Sequence, residues 1–591
     1  MSFRDLREFI NHLEGSNELV RISAEVDSDQ EITVIQHRVL AAGGPALLFE
    51  NVKGAHHRLV SNLYGTPRRV EMAFGRDPGE IGNELAMLAE RMKEPGIGAI
   101  WEQRRTLWGL TKARMRTVGR GPVLECVSEP PGLTRLPVLK CWPLDGGRFF
   151  TLPLVHTTDP ETGGGNLGIY RLQLYDDAST GMHWQIEKGG GFHFHKAKAM
   201  NRPLPVSVIL GGPPALTLAA IAPMPEGFDE RLMAALIMGT PLDVIWRGTT
   251  GHRIPARAEF VLEGTVTPGD MRREGPFGDH LGHYSHSADF PVYRVDRLLA
   301  RRDAIYPATV VGKPPQEDYF IGEALERLMM PLLKLIKPGI CDVWAYPETG
   351  FHPLAVLSVH ERYGREGLKQ ALGLMGEGQM SLSKVMIVVD HDVDVRDFGA
   401  VSRAIWQNVD TDGDIHVIGP TAQDTLDFTG PSMNTGSRLI ILATRHSTGP
   451  RRTSLPPPPP APREVHPGIR AMAALGPAFL MVQVDEGCDR EAVRVALACH
   501  PVTAGYGFHV LVSADVPVDD RRLALWGWFT RFDPLLDLHP VRREMTGNRL
   551  ILHAPIAIDA TWKAGYRKPV EFDPDVEKRV DAQWSRYGIP L

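Results

Sequence analysis

Residues 274–284 read EGPFGDHLGHY. Two carboxylates, Glu274 and Asp279, flank a Gly-Pro-Phe-Gly turn, and two imidazoles, His280 and His283, follow at once. A turn this stiff fixes where its acids point. Such a cluster suits proton transfer to a bound substrate; the plain alternative is a charged surface hairpin. Upstream, GGGNLGIYRLQLY places Asn166 and Arg171 five residues apart, between a glycine-rich turn and a β-run. GMHWQIEKGGGFHFH supplies Glu187, His193 and His195, and APMPEGFDERLM sets Glu230 at a helix start. None of these has zinc-type spacing. An amide oxygen with carboxylates suits a hard divalent ion such as Mg²⁺ or Mn²⁺. GGGN after no strand is weak evidence for a dinucleotide.

Elements must carry these groups. The chain has 591 residues, 43% apolar and 23% charged, so several globular domains are expected. A net charge of −6 and a pI near 6.4 argue against a nucleic-acid partner. No apolar run is long enough to span a bilayer, and charges interrupt the N-terminal apolar positions, so a cytoplasmic location is expected. Five scattered cysteines fit a reducing compartment. Phe3, Leu6, Phe9, Ile10 and Leu13 fall at helical spacing.

The fold class expected is multidomain α+β. Residues 1–115 predict a small α/β domain. Residues 116–310, with short β-runs between Gly/Pro turns, predict a sheet-rich barrel or sandwich. Residues 311–337 predict a connecting helix that Pro331 kinks or breaks. Residues 338–446 predict a second α/β domain, and 447–466, with five consecutive prolines, an extended linker. Residues 467–591 read as a copy of 338–446. PGICDVW is echoed by PGIRAMA, and TGSRLIIL by TGNRLILH. The offset falls from 129 to 111 along the way, as loop deletions in a duplicated domain would produce. Lys384 before VMIVV lines up with Gly507.

NLGIYR, APMPEGFDE, EGPFGDHLGHY, DAIYPATVVGKPPQED, SKVMIVVDHDVD and IDATWK follow one another in an order that resembles the UbiD family of (de)carboxylases of aromatic and unsaturated acids. The length is similar to that of long menaquinone-biosynthesis members. The resemblance implies a split β-barrel for 116–310 and a prenylated FMN held through Mn²⁺ (or Mg²⁺) with K⁺ nearby. It places the metal ligands at Asn166, Glu187 and Glu230, and the phosphate contact at Lys384. Gly168, Ile169, Tyr170, Arg171 and Pro223 join the implied cofactor site. The family's third metal ligand is usually His; here Glu187 stands there, with His193 or His195 as substitutes. Arg171, Glu274 and Asp279 become the catalytic trio, Arg171 for the substrate carboxylate and Glu274 for the proton. The implied partners are an aromatic acid, a flavin prenyltransferase that supplies the cofactor, and a second copy of the chain. Two other readings stay open: a non-catalytic flavin-binding subunit of a carboxylase complex, and a metal-dependent hydrolase.

Overall fold

The computed structural model describes residues 2–91, 113–185, 188–222, 224, 227–445 and 452–590. Two compact units divide the chain. One holds residues up to Leu332 together with Lys568–Leu591; the other is Leu333–Arg567.

The first unit begins as its apolar spacing predicts. Helix Leu6–Gly15 buries Leu6, Phe9, Ile10 and Leu13, and the Asp5 carboxylate caps it by accepting the Glu8 N–H. A small sheet runs in the order Leu19–Val26, Ala46–Val52, Arg58–Ser61, Ile305–Pro307. Its last strand comes from far along the chain, so the α/β domain is completed by residues beyond 1–115. Helix Asp318–Ile336 continues through Pro331 without a break. The ring of Pro331 packs against Gly82 of helix Pro78–Arg91, where a Cβ would sit 2.2 Å from the Leu328 carbonyl oxygen. Packing therefore compensates the hydrogen bond that proline cannot make.

The centre of this unit is one sheet of nine strands among the described residues. Its main path is Phe149–Phe150, Leu172–Asp176, Ser179–Gly181, Ala288–Ala300, Phe260–Glu274, Leu204–Leu210, Leu154–Thr158, Gly165–Ile169. Gly165–Ile169 and Leu172–Asp176 lie near opposite ends of that path, yet only Tyr170 and Arg171 join them. Three Cα steps reach about 11 Å at most. The sheet must therefore curl until its ends approach, a half-barrel, and Arg171 sits at the seam.

The second unit holds two five-stranded sheets built in the same order. The first is Ile340–Ala345, Leu354–Val359, Val385–Asp390, Thr435–Ala443, Ile415–Ala422; the second is Ile469–Leu475, Phe479–Val484, Phe508–Val512, Arg549–Ala560, Leu538–Thr546. Ladder register makes Val385 equivalent to Phe508, since they pair with Leu439 and Ile556 respectively. The TGSRLIIL/TGNRLILH match therefore slips: Leu439 corresponds to Ile556, not Leu550. TGNR is instead the turn of a longer final hairpin, where Thr546 pairs with Arg549 and Gly547 takes φ 62°. By the same register Asp559 stands where the first copy has Leu442.

The copies share one core, in which Phe479 stacks on Phe398 at 5.7 Å and meets Trp528 at 4.8 Å. Their contacts are reciprocal. Ser402 of the first copy's helix Phe398–Asn408 donates to the Leu475 carbonyl and accepts the Ala478 N–H, both at 3.1 Å. The second copy's helix Arg521–Phe529 packs in return on Pro347–Thr349. Such i-to-j and j-to-i pairing is the signature of a two-fold interface, here within one chain. Lys568–Leu591, which the sequence assigns to the second copy, instead returns to the first unit. There the Tyr587 hydroxyl donates to Glu31 at 2.7 Å, and Val580 and Tyr587 are buried.

Candidate active site

Arg171, at the seam, lies under three acceptors. Its Nε donates to Glu274 Oε1 at 3.1 Å, Nη1 to Asp279 Oδ2, and Nη2 to the Ser285 hydroxyl at 3.0 Å. Its guanidinium stacks over the Phe277 ring at 4.9 Å. Glu274 ends the long strand Phe260–Glu274 and is fully buried. The sequence-predicted trio is thus one hydrogen-bonded cluster, not a surface hairpin.

The turn that holds the two acids is itself held. The buried Asp145 carboxylate accepts N–H groups from Cys141, Trp142 and Gly278, the last at 2.8 Å. Burial pushes its pKa up to about 7, against those three bonds. Gln173 accepts the Gly275 N–H at 2.8 Å and donates to the Gly146 carbonyl at 2.9 Å. Gly275 has φ +85°, a conformation that disfavours side chains. A Cβ at Gly278 would lie 2.2 Å from the Trp142 ring. The C-terminal segment closes the turn: the Lys568 carbonyl accepts the Tyr284 N–H, and the Gly282 carbonyl accepts the Val570 N–H, both at 3.0 Å.

Two opposed effects act on Glu274. Burial works to raise its pKa, but His183 and Arg171 outweigh it and hold the carboxyl below its usual range. Asp279 is likewise held low, with Arg171 and His280 overcoming burial. Both acids are ionised at rest. Glu274 Oε1 takes two donors, from Arg171 and His183; Oε2 is buried with no hydrogen-bond partner among the described residues.

The other predicted site residues fall on neighbouring elements. Asn166, Gly168 and Ile169 lie on the edge strand Gly165–Ile169, and Tyr170 follows. The Tyr170 hydroxyl accepts the Gly190 N–H at 2.9 Å, at the start of helix Gly189–Ala199. Glu230 opens helix Glu230–Met238, and its Oε2 accepts the Leu167 N–H at 2.7 Å. Asn166 and Glu230 are therefore one strand residue apart in attachment. His193 is buried against the Thr157 hydroxyl at 2.8 Å, and His195 is exposed. Glu187 and Pro223 lie outside the described residues. Lys384 belongs to the second unit, where its buried ammonium pairs with Asp427 at 2.8 Å and lies 5.2 Å from the Phe532 ring centre.

The donor set fits a hard cation beside a cofactor. Burial raises the Glu230 carboxyl to about 7, the state of a buried acid awaiting a positive charge. Among the described residues the Asn166 amide nitrogen is buried without a hydrogen-bond partner. The Asn166 side chain packs directly on Gly189, where a Cβ would stand 2.1 Å from Asn166 Oδ1. Among the described residues no group of three His, Cys, Asp or Glu side chains is arranged to hold a metal.

Sequence reading missed His183, Ser285, Gln173 and Asp145. Each lies in a β-run or turn without a recognisable motif, and only the fold brings it to the acids. His183 alone had a signal, an unassigned imidazole four residues before Glu187.

The 3-octaprenyl-4-hydroxybenzoate carboxy-lyase (UbiD) N-terminal, Rift-related and C-terminal domain models match residues 10–89, 116–314 and 319–443. A Chlamydia pneumoniae relative, named as one subunit of a 4-hydroxybenzoate decarboxylase, is 38% identical, over 99% of this chain and 98% of its own. An Archaeoglobus fulgidus relative is 40% identical over 75% of this chain and 92% of its own. Among solved structures, the closed form of Sedimentibacter hydroxybenzoicus vanillic acid decarboxylase aligns at a TM-score of 0.68 and 27% identity, over 78% of this chain and 98% of that one. The UbiD-class enzyme HmfF from Pelotomaculum thermopropionicum, in complex with FMN, aligns at 0.62 and 26%, over 76% and 97%. With three domain models in order and relatives matched end to end, the chain belongs to the UbiD family of carboxy-lyases.

Proposed function

We propose that this carboxy-lyase reversibly decarboxylates an aromatic acid of the hydroxybenzoate or naphthoate kind, with prenylated FMN as cofactor. The observation that carries the reading is the buried Arg171–Glu274–Asp279 cluster: one cation and two acids, with one carboxylate oxygen unpaired among the described residues. Relatives named for hydroxybenzoate and vanillate decarboxylation support the substrate class. A solved HmfF structure in complex with prFMN supports the cofactor.

Asn166, Glu187 and Glu230 would hold the divalent metal, Mn²⁺ or Mg²⁺ with K⁺ beside it. Gly168, Ile169, Tyr170, Arg171 and Pro223 would complete the cofactor site. When bound, the modified flavin supplies the electron sink that no side chain offers. The chain's own groups do the rest. Arg171 presents a planar fork that suits a carboxylate and orients the departing CO₂. As the substrate carboxylate competes for Arg171, burial dominates at Glu274 and its carboxyl takes up a proton. Glu274 then delivers that proton to the carbon CO₂ has left, and solvent restores it. Asp279 balances the charge of Arg171 through this cycle, and Ser285 keeps the guanidinium in plane.

Anaerobic purification after co-expression with a flavin prenyltransferase tests the reading. Bound prenylated FMN and about one divalent ion per chain, seen by absorbance and mass, support it. Colourless, flavin-free protein with intact fold would favour a non-catalytic subunit. In that case Glu187→His is the variant to examine next.

A further inference from the structure

The mechanism above leaves one buried side chain without a task. His183 follows strand Ser179–Gly181 and is 3% exposed. Its Nδ1 lies 3.0 Å from Glu274 Oε1, and its ring rests on Phe290, 4.2 Å between centres. An ionised carboxylate oxygen can only accept, so Nδ1 carries the hydrogen. Burial lowers the pKa of this imidazole, and the neighbouring Arg171 guanidinium acts in the same direction. The ring is neutral, and a neutral ring protonated at Nδ1 has a bare lone pair at Nε2.

That Nε2 is buried and has no hydrogen-bond partner among the described residues, as is also true of Glu274 Oε2. Buried acceptors are rarely left unmatched, and two on bonded neighbours mark where ligand donors belong. Oε2 has its donor in the mechanism, the proton it carries to carbon. Nε2 needs another. The substrate carboxylate cannot serve, since it only accepts and belongs to Arg171. An aromatic acid can bring a donor to this nitrogen as a ring hydroxyl or a ring amine, and the hydroxyl is the one that belongs to the substrate class proposed above.

We propose that His183 is the residue that selects hydroxylated aromatic acids, accepting a ring hydroxyl at Nε2 while its Nδ1–H holds Glu274 Oε1. The inference rests on the decarboxylase reading and deepens it. It makes His183 a positioning residue for Glu274 and a direct contact for the substrate hydroxyl.

The test compares hydroxybenzoates with benzoate on cofactor-loaded wild type and on His183→Asn. Asparagine can keep a donor near the Nδ1 position but has nothing at Nε2. A site built for a hydroxyl discriminates against its absence by at least about tenfold. The expected result is a wild-type preference of that size in kcat/KM for one hydroxylated isomer. In His183→Asn that preference collapses toward one, because turnover of the hydroxylated acid falls more than that of benzoate. Calorimetric binding of the same acids should show the same ratio. In ¹⁵N-histidine spectra, Nε2 should shift only on addition of the hydroxylated acid. An unchanged preference in the variant, or a wild type that binds benzoate as tightly as every hydroxybenzoate, overturns this inference while leaving the decarboxylase reading standing. Absence of CO₂ from every aromatic acid tested overturns both.

Discussion

Replacing Arg171 with methionine removes the one cation between two buried acids while keeping most of the side-chain length. In the wild type both carboxyls are held below their usual range, so they stabilise the fold above the unfolded pKa of about 4 and lose that contribution as pH falls through the folded values. Without Arg171 the sign at Glu274 depends on what remains. Burial, the largest influence on it, raises the pKa, and the neutral His183 donates one bond only. Folding then favours a protonated Glu274, and each step of pH above about 4 costs stability. Removing one partner of a buried pair costs about 3–5 kcal/mol. At about 2 °C per kcal/mol for a large domain, that is a Tm lowered by roughly 6–10 °C at pH 7. The penalty shrinks toward pH 4, because the variant gains as its Glu274 takes up a proton, while the wild type keeps its advantage down to about pH 4 and loses it only below. Differential scanning fluorimetry from pH 4 to 8 reads both curves. A Tm gap that stays flat, or widens toward acid, would refute the assignment of Glu274 and Asp279 as ions held by Arg171.

Gly181→Ala places a methyl 2.6 Å from Glu274 Oε2 and 2.9 Å from the Tyr175 hydroxyl, so CO₂ release should fall about 100-fold with the fold retained by circular dichroism. Gly189→Ala forces a Cβ to within 2.1 Å of Asn166 Oδ1, and elemental analysis of the purified protein should show divalent metal well below the wild-type content. Phe398→Ala opens the core shared by the two copies in the second unit, and should cost about 3–5 kcal/mol in denaturant unfolding. Because the two-fold-like interface is already satisfied within one chain, light scattering should find an assembly no larger than a dimer, and a hexamer would contradict that.

The acid turn was legible because its residues are contiguous: Glu274, Asp279 and the stiff Gly-Pro segment sit in one block, and Arg171 in another that names itself. The strands were legible where apolar runs ended at Gly or Pro, as in PVSVILG, which forms Leu204–Leu210. What escaped depends on closure. Arg171 reaches Glu274 only because the sheet curls until a two-residue link can join its ends, and no local spacing reports that. Asp145 and Gln173 reach the acid turn through the N–H groups of Gly278 and Gly275, more than a hundred residues away, and no local spacing reports that. The duplication was visible from echoed phrases, but TGNR imitates TGSR at the wrong register, and only ladder pairing corrects it. The return of residues 568–591 to the first unit is set by tertiary contacts such as Tyr587 with Glu31.

The most direct test of the account is turnover in D₂O. Cofactor-loaded enzyme is given a panel of hydroxybenzoic and naphthoic acids, and CO₂ and the deuterium content of the product are measured together. The account predicts CO₂ release with one deuteron at the vacated ring position, and loss of both in Glu274→Gln despite retained flavin. No CO₂ from any acid, together with ester or amide hydrolysis by flavin-free protein with Mn²⁺, would contradict it.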